Sequence, residues 1–261
     1  MKYKLSIILF LSFAIILSSC ANIGSENFPT FATDTDTNET FALGETPDAG
    51  QEYIDSFIFI GESTTYHLKS RGVLSGGKET KQVWSPSSGT MTLDAIISGV
   101  KIIYPPTGEE LTIGQAAKRS TPKRVALTFG LNGAVTKIKR GKEYFFSCYL
   151  SLIDEIRSNS PNTIIILQSC FPIASDMDMS SYTVDAKLLS RYICTINLWT
   201  ADLAKSEGLF YLNTWEILTD SNGFLYKKYS AEDGYHLNTE AYLKILEYIR
   251  THKDDFYENN N

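Results

Sequence analysis

The stretch Phe57-Ile58-Phe59-Ile60-Gly61-Glu62-Ser63 decides the fold, because an apolar run ends abruptly in a glycine followed closely by a serine. Aromatic and β-branched residues in an unbroken run are typical of a strand that is buried on both faces of a parallel sheet. Proteins with such sheets bind their ligands at the carboxyl ends of the strands. The stretch therefore predicts a buried strand that delivers the Ser63 hydroxyl to a functional edge.

Strand-like runs alternate with helical patterns along the rest of the chain, from Tyr53 onward. Such alternation is typical of βαβ units, and it predicts a parallel sheet. We expect strands near residues 56–60, 82–84, 124–129, 163–167 and 209–212. We expect helices at about 92–97, 145–156, 184–205 and 239–252, and a loop with a short helix within 108–120.

Periodicity and capping residues add detail to the last two helices. Gly208 is expected to end the longer one, and Asn238 is expected to cap the start of the last one. The apolar positions of the longer helix indicate a buried side that carries Leu188, Tyr192, Ile196, Trp199 and Leu203.

A serine nucleophile needs a base, and the best candidate is His236. Asp233 precedes it by three residues in a glycine-containing loop, just before the predicted last helix. This spacing lets the carboxylate fold back onto the imidazole and fix its tautomer, so that the other ring nitrogen can take the serine proton. Ser63, His236 and Asp233 are therefore the predicted catalytic residues.

The other two histidines of the chain are weaker candidates for the base. His252 lies in a charged turn at the end of the last helix, which is typical of a solvated residue. His67 follows Ser63 by four residues, which favours a place on the rim of the same site or on a helix surface.

An oxyanion needs hydrogen-bond donors, and the sequence offers two candidates. One is the backbone N–H of Ser63, and the other is Asn132 in the segment Gly130-Leu131-Asn132-Gly133. An Asn-Gly pair by itself is more often only a turn. Because this pair follows a predicted buried strand of the same sheet, we favour the oxyanion role.

These blocks, in this order, resemble those of the SGNH/GDSL hydrolase family over residues 53–252. The family pattern is Gly-Asp-Ser after the first strand, a loop glycine, Gly-x-Asn-Asp after a middle strand, and Asp-x-x-His before the last helix. This chain has Gly61-Glu62-Ser63, Gly89, Gly130-Leu131-Asn132-Gly133 and Asp233-Gly234-Tyr235-His236. Glu62 and Gly133 stand where the family has aspartates.

The resemblance implies a flavodoxin-like three-layer α/β/α sandwich with a central, mostly parallel five-stranded sheet. It also implies Ser63 as nucleophile, His236 as base and Asp233 as the group that orients the base. The implied oxyanion hole consists of the Ser63 N–H, the Gly89 N–H and the Asn132 side chain. Gly99 is an alternative to Gly89.

The N-terminus has the pattern of an export signal. Lys2 and Lys4 precede an apolar segment that is short for a membrane span, and Leu17-Ser18-Ser19-Cys20 resembles the lipobox of bacterial lipoproteins. We expect a signal peptide at residues 1–19, a lipidated Cys20 with a flexible tether over 20–50, and one hydrolase domain over 51–261. The alternative is an ordinary signal peptide in which Cys20 is incidental.

Net charge indicates which partners are expected, and the cysteines indicate a core residue and a candidate disulfide. The net charge is −6 and no basic patch stands out, so nucleic acid is not an expected partner. Cys148 falls on an apolar helix face and is expected in the core. A disulfide between Cys170 and Cys194 is conceivable outside the cytoplasm.

The leading hypothesis is an extracytoplasmic serine esterase, anchored by lipid to a bacterial membrane, that acts on a small-molecule or glycan ester and needs no metal or organic cofactor. One alternative is a non-catalytic glycan-binding lipoprotein of the same fold, in which Trp84, Tyr66 and Tyr235 stack on sugars. Each of these aromatics is more simply a core or rim residue. Another alternative is an O-acyltransferase, in which a sugar hydroxyl replaces water.

Overall fold

The computed structural model of the protein describes residues 41–254, so the predicted signal peptide, Cys20 and the last residues lie outside the described part. Its centre is a five-stranded sheet with the order β2-β1-β5-β6-β7, in which every neighbouring pair is parallel. The predicted α/β fold is confirmed. The strands are β1 (Phe57–Gly61), β2 (Val83–Trp84), β3 (Ile102–Ile103), β4 (Glu110–Leu111), β5 (Arg124–Thr128), β6 (Ile164–Gln168) and β7 (Phe210–Leu212).

Helices cover both faces of the sheet and complete the three layers. Alternate residues of a central strand point to opposite faces: in β5, Val125 and Leu127 join one core and Ala126 joins the other. Helices α1, α2, α8 and α9 pack on the Ala126 side, and α3 to α7 pack on the opposite side. The helices are α1 (Gly50–Asp55), α2 (Ser63–Ser70), α3 (Leu93–Ile97), α4 (Ile113–Ser120), α5 (Ala134–Arg140), α6 (Lys142–Asn159), α7 (Ala186–Glu207), α8 (Trp215–Leu218) and α9 (Thr239–Arg250).

The predicted helix ends are confirmed, whereas the buried side of α7 agrees only in part with the prediction: Ile196 and Leu203 are buried as expected. Gly208 ends α7 in the left-handed conformation, and the Asn238 side chain accepts the Ala241 N–H at the start of α9. On α7, three of the positions predicted to be buried are only partly buried, and the core side includes three polar residues. Hydrophobicity could not show this, because these polar residues are buried with hydrogen bonds. The Ser190 hydroxyl donates to the Gly223 carbonyl (2.7 Å), Asn197 bonds to the Cys170 backbone, and the Thr200 hydroxyl donates to the Ile196 carbonyl one turn earlier in α7. The fully buried positions include Leu189, Ser190, Ile193, Cys194, Ile196, Asn197, Thr200 and Leu203.

Six elements were not among the expected strands and helices: β3, β4, α1, α2, α5 and α8. The antiparallel pair of β3 and β4 has only two residues in each strand, which is too short for a period to show. Helix α5 follows the Asn132 segment directly, and its sequence is too short and too rich in lysine for an apolar stripe.

The folded part begins before residue 51, inside the predicted tether. Residues 41–43 lie along β7, where the Tyr211 N–H donates to the Phe41 carbonyl (2.8 Å) and the Leu43 N–H donates to the Tyr211 carbonyl (2.9 Å). The Ala49 N–H then bonds to the end of α9 at the Arg250 carbonyl (2.9 Å). The polar composition that predicted a tether therefore applies at most up to residue 40.

A buried ion pair holds the amino end of β5. The Arg124 guanidinium makes two bonds to the Asp254 carboxylate (2.5 and 3.2 Å) and one to the Ser56 hydroxyl (3.1 Å). The Tyr53 hydroxyl donates to the same carboxylate (2.9 Å), and the guanidinium lies 4.6 Å from the centre of its ring. This cluster joins α1, β5 and the chain after α9.

Cys148 is buried as predicted, and Cys170 is not joined to Cys194 by a disulfide. The Cys170 thiol instead donates to the Phe129 carbonyl (3.0 Å), at the carboxyl end of β5. Among residues 41–254, no helix has both the length and the apolar character that a membrane crossing requires.

Candidate active site

Ser63 is the first residue of α2, directly after β1. Gly61 makes the tight passage between strand and helix possible, since a Cβ there would lie 2.2 Å from the Thr65 hydroxyl and 2.4 Å from the Thr128 carbonyl oxygen. The backbone N–H groups of the first helical turn lack partners within the helix. Ser63 thus presents a hydroxyl and an N–H at the same point of the sheet edge.

The structure brings the three predicted catalytic side chains together in order. Ser63 Oγ lies 3.0 Å from His236 Nε2, and His236 Nδ1 lies 2.6 Å from Asp233 Oδ2. The other carboxylate oxygen accepts the N–H groups of His236 (2.8 Å) and Tyr235 (3.0 Å). Partial burial by itself raises the pKa of Asp233, but these hydrogen bonds outweigh it and hold the pKa at about 2. The carboxylate is therefore ionised at neutral pH.

His67 lies on the rim of this group, one helical turn after Ser63, as one of the two alternatives predicted. Its ring centre is 4.4 Å from that of His236, and its Nδ1 atom is buried without a hydrogen-bond partner among the described residues. Burial lowers the pKa of His67 to about 4, and the neighbouring His236 adds to the effect. His67 is neutral at physiological pH, so it packs against the base without adding a charge.

His252 is not the solvated residue that was predicted. Its ring stacks on the Tyr248 ring with centres 3.7 Å apart, and its Nδ1 bonds to the Tyr248 carbonyl (2.9 Å). The aromatic neighbour one turn earlier on the helix gives this histidine a partly buried place.

Residues 130–133 form the opposite wall of the site, and Glu62 holds them from below. Its two carboxylate oxygens accept the N–H groups of Gly130 (3.1 Å) and Asn132 (2.8 Å). Glu62 is buried, which raises its pKa, while the Lys137 ammonium and these N–H groups oppose that rise. The longer side chain thus reaches the loop from the position where the resemblance has an aspartate.

Lys137 braces the Asn132 segment beside Gly133, the position where the resemblance has an aspartate. Its ammonium is buried and donates to the Asn132 carbonyl (2.5 Å). It also lies 3.4 Å from Asp94 on α3, which in turn bonds to the Tyr144 hydroxyl. Gly133 adopts a left-handed conformation (φ 72°) at the start of α5. Lys137 follows Gly133 by four residues, and this spacing is the sequence signal that could have indicated its role.

The Asn132 amide is held at both of its polar atoms. Its Oδ1 lies 2.5 Å from the Tyr235 hydroxyl, and its Nδ2 lies 3.3 Å from the Thr90 hydroxyl. Since an amide NH₂ carries two hydrogens, one remains for a ligand after the bond to Thr90. Tyr235 was noticed in the sequence only as an aromatic, and its bond to Asn132 was not foreseen.

Gly89 lies beside Thr90, in the loop that reaches Asn132. A Cβ on this residue would come within 2.9 Å of the Tyr66 ring, and its backbone is left-handed (φ 74°). Its N–H donates to the Pro86 carbonyl (2.9 Å), so this donor is engaged in a turn. Gly99, the alternative, lies exposed after α3 with its N–H on the Ile96 carbonyl (2.9 Å).

Of the three aromatic residues considered for sugar stacking, Trp84 cannot contact a sugar, because it is fully buried in the core. Tyr66 and Tyr235 are partly buried at the site. Within residues 41–254, no group of three or more potential metal-ligating side chains comes together.

Comparison with known proteins gives a family and a set of similar folds. The model of the "GDSL-like Lipase/Acylhydrolase family" matches residues 59–244. A Streptococcus pneumonia protein, provisionally described as a "platelet activating factor", is 18% identical, with a TM-score of 0.52, over 74% of this chain and 81% of the other. A provisionally described lipolytic protein of the G-D-S-L family from Desulfitobacterium hafniense DCB-2 is 17% identical, with a TM-score of 0.50, over 74% and 97%. Among curated proteins, none matches this sequence.

Proposed function

The chain belongs to the GDSL-like lipase/acylhydrolase family, which confirms the resemblance seen in its motifs, and we propose that it is a serine esterase. The observation that carries this proposal is the hydrogen-bonded line from Ser63 through His236 to Asp233. A nucleophile, a base and an orienting carboxylate within hydrogen-bond reach are the arrangement that acyl transfer through a covalent intermediate requires.

In the proposed first step, Ser63 Oγ attacks the carbonyl carbon of an ester while His236 Nε2 takes its proton. The Asp233 carboxylate fixes the imidazole with Nδ1 protonated and stabilises the imidazolium that forms. His236 then gives the proton to the leaving alcohol, and the acyl group stays on Ser63. Water, activated by the same imidazole, releases the acid in the second step.

The tetrahedral intermediate carries an oxyanion, for which two donors are proposed. The Ser63 N–H lies at the start of α2, where the helix dipole also favours a negative charge. The second proposed donor is the Asn132 NH₂ group in the loop after β5, which has one hydrogen left after its bond to Thr90. The Gly89 N–H, implied by the resemblance, becomes a third donor only when its turn bond to Pro86 opens.

The substrate class that we propose is a small-molecule or carbohydrate ester with a short acyl group. We further propose an extracytoplasmic protein, lipid-anchored at Cys20 to a bacterial membrane, and this part rests on the sequence of residues 1–20 alone. Metabolic labelling with palmitate tests the anchor: the wild-type chain should be labelled and a Cys20→Ala chain should not. Equal labelling of both chains would overturn this proposal.

Hydrolysis of p-nitrophenyl acetate by the purified protein tests the esterase. Ser63→Ala and His236→Ala should each lower kcat by at least about 10³-fold, because the nucleophile and base act as a unit. The matched controls are Ser70→Ala on the same helix and His252→Ala, which should retain wild-type rates. If wild type cleaves neither this ester nor acetylated glycans, the glycan-binding alternative replaces the esterase. Products formed in the presence of an acceptor sugar separate transfer from hydrolysis.

A further inference from the structure

We propose that Tyr235 is a positioning residue, which holds the Asn132 amide with its NH₂ group turned toward the substrate oxyanion. The inference rests on the proposed esterase function and assigns a role to a residue between Asp233 and His236. Its basis is the contact between the Tyr235 hydroxyl and Asn132 Oδ1, which joins the two walls of the site.

The length of this contact identifies the amide atom that faces Tyr235. The two atoms are 2.5 Å apart, which falls in the range of O–H···O bonds and below that of N–H···O bonds. The contact to Thr90 is 3.3 Å, longer than O–H···O bonds and just above the usual range of N–H···O bonds, so it is assigned to the NH₂ side. The amide oxygen therefore faces Tyr235 and the nitrogen faces the loop that carries Thr90.

The hydroxyl of Tyr235 favours this orientation because it needs an acceptor. The ring is largely enclosed, and among the described residues Asn132 Oδ1 is the acceptor that the structure gives to its O–H group. Rotating the amide by half a turn would place NH₂ against the hydroxyl and leave the phenolic hydrogen without a partner. A buried donor without a partner costs about 1–3 kcal/mol. Burial also raises the pKa of Tyr235, so the hydroxyl remains a donor at neutral pH.

The orientation matters because the two ends of an amide have opposite effects on an oxyanion. The NH₂ end stabilises the developing negative charge, whereas the carbonyl end would repel it. The backbone of Asn132 is already held by Glu62 and Lys137, so rotation of the side chain is the freedom that remains. Tyr235 removes that freedom.

One short loop would then control both halves of the chemistry. Asp233 accepts the Tyr235 N–H (3.0 Å), and the next residue is the base. The rings of Tyr235 and His236 meet edge to face, with centres 5.0 Å apart. A displacement of the 233–236 backbone that takes His236 away from Ser63 would also take the Tyr235 hydroxyl away from Asn132.

The kinetic test is a double-mutant cycle with Tyr235→Phe and Asn132→Ala on p-nitrophenyl acetate. Asn132→Ala should lower kcat by about 10²–10³-fold, as loss of an oxyanion donor does elsewhere. Tyr235→Phe should lower kcat by about tenfold to a hundredfold with KM within about twofold, because it disturbs the same donor. In the Asn132→Ala background, Tyr235→Phe should change kcat by less than about twofold.

An equal loss in both backgrounds would overturn the proposal, as would an unchanged kcat in Tyr235→Phe. Tyr226→Phe, in an exposed part of the neighbouring loop, is the matched control and should have the wild-type rate. An unchanged melting temperature of Tyr235→Phe would show that the fold is retained.

A second measurement does not depend on turnover. In ¹⁵N-labelled protein, the side-chain NH₂ resonances of Asn132, assigned by their absence in Asn132→Ala, should shift and exchange faster with water in Tyr235→Phe. Unchanged resonances would overturn the positioning role even in an active enzyme. If wild type proves inactive but the resonances respond as expected, the esterase proposal fails and the contact itself stands.

Discussion

The two ends of strand β5 differ in how their polar groups are hydrogen-bonded. At the amino end, Arg124, Asp254 and Tyr53 bond to one another in a buried cluster, and the ion pair is saturated with protein partners. At the carboxyl end, the chain continues to Asn132, whose amide bonds to Thr90 and Tyr235 and keeps one N–H hydrogen for a ligand. One end uses its polar groups for stability, and the other keeps some of them available for chemistry.

The unsatisfied polar atoms do not by themselves distinguish the two ends. Among the described residues, the buried polar atoms without a hydrogen-bond partner include Thr65 Oγ1 and His67 Nδ1, on the helix that begins with Ser63, and also Gln82 Oε1, whose amide bonds near the start of β1. A buried polar group without a partner costs free energy that other parts of the fold must offset. The comparison teaches that neither buried charge nor an unpaired polar atom alone identifies a functional site, since both occur at each end and only the carboxyl end brings Ser63, His236 and Asp233 together.

The largest expected effect separates activity from stability at the carboxyl end. Asp233→Asn should lower kcat by about 10⁴-fold, because the imidazole loses the partner that fixes its tautomer. The melting temperature should change little, since the carboxylate is half exposed. Asp178→Asn, another exposed carboxylate that accepts bonds within its own loop, is the control. A kcat within tenfold of wild type would contradict the proposed role of Asp233.

The next largest effect is expected at the amino end of β5, where a substitution should lower stability and leave activity unchanged. Asp254→Ala leaves the Arg124 guanidinium buried without its partner, so the free energy of unfolding should fall by about 3–5 kcal/mol. Activity per folded molecule should remain at the wild-type value. Urea unfolding measures the loss, with Asp48→Ala as control, because its exposed pair with Arg250 is worth at most about 1 kcal/mol. Equal losses in both variants would remove the distinction between the two pairs.

Substitution of Glu62 should lower both stability and activity, and it therefore tests whether the two ends of β5 separate these properties completely. Glu62→Ala leaves the N–H groups of Gly130 and Asn132 without an acceptor and should lower the free energy of unfolding by about 2–3 kcal/mol. It should also lower kcat, because Asn132 loses its support. Glu62→Gln keeps one acceptor oxygen, so its stability and kcat should lie between those of wild type and Glu62→Ala. Denaturation and p-nitrophenyl acetate kinetics on the same samples measure both effects, and a loss of stability without loss of kcat would disprove the coupling.

The smallest effect concerns pH. The pKa of His67 is about 4 in the folded protein, whereas an unfolded histidine has a pKa of about 6.5. Between these values the unfolded chain binds more protons, so stability falls as the pH falls from about 6.5 to about 4. His67→Phe should make the melting temperature decline less steeply over that range. His252→Phe is the matched control, and parallel curves for wild type and His67→Phe would refute the prediction.

The order of the five sheet strands and of helices α3, α4, α6, α7 and α9 could be predicted from the sequence, because the signals of these elements are local. The buried strands β1, β5 and β6 are unbroken apolar runs, and the loops with Ser63, Asn132 and His236 follow or precede strong elements. Such features need no knowledge of which segments meet. The parallel sheet predicted that Ser63 and Asn132 lie at one edge, because its strands end there, and the three-residue spacing of Asp233 and His236 together with the family resemblance added the other two candidates.

The contacts that orient the site could not be predicted in this way. Tyr235 and Asn132 are separated by 103 positions, and nothing local shows that the hydroxyl of one reaches the amide of the other. Glu62 and Lys137 converge on Asn132 from a strand end and a helix that was itself too short to predict. The engaged Gly89 N–H is likewise a property of the turn geometry rather than of the residue type.

The docked segment at residues 41–43 has a practical consequence for handling the protein. It extends the sheet beside β7 and covers the row of N–H and carbonyl groups that an edge strand presents. A chain shortened to start at residue 51 would uncover that row, and uncovered edges pair with other copies. Proteolysis or truncation in this segment should therefore appear as self-association in light scattering.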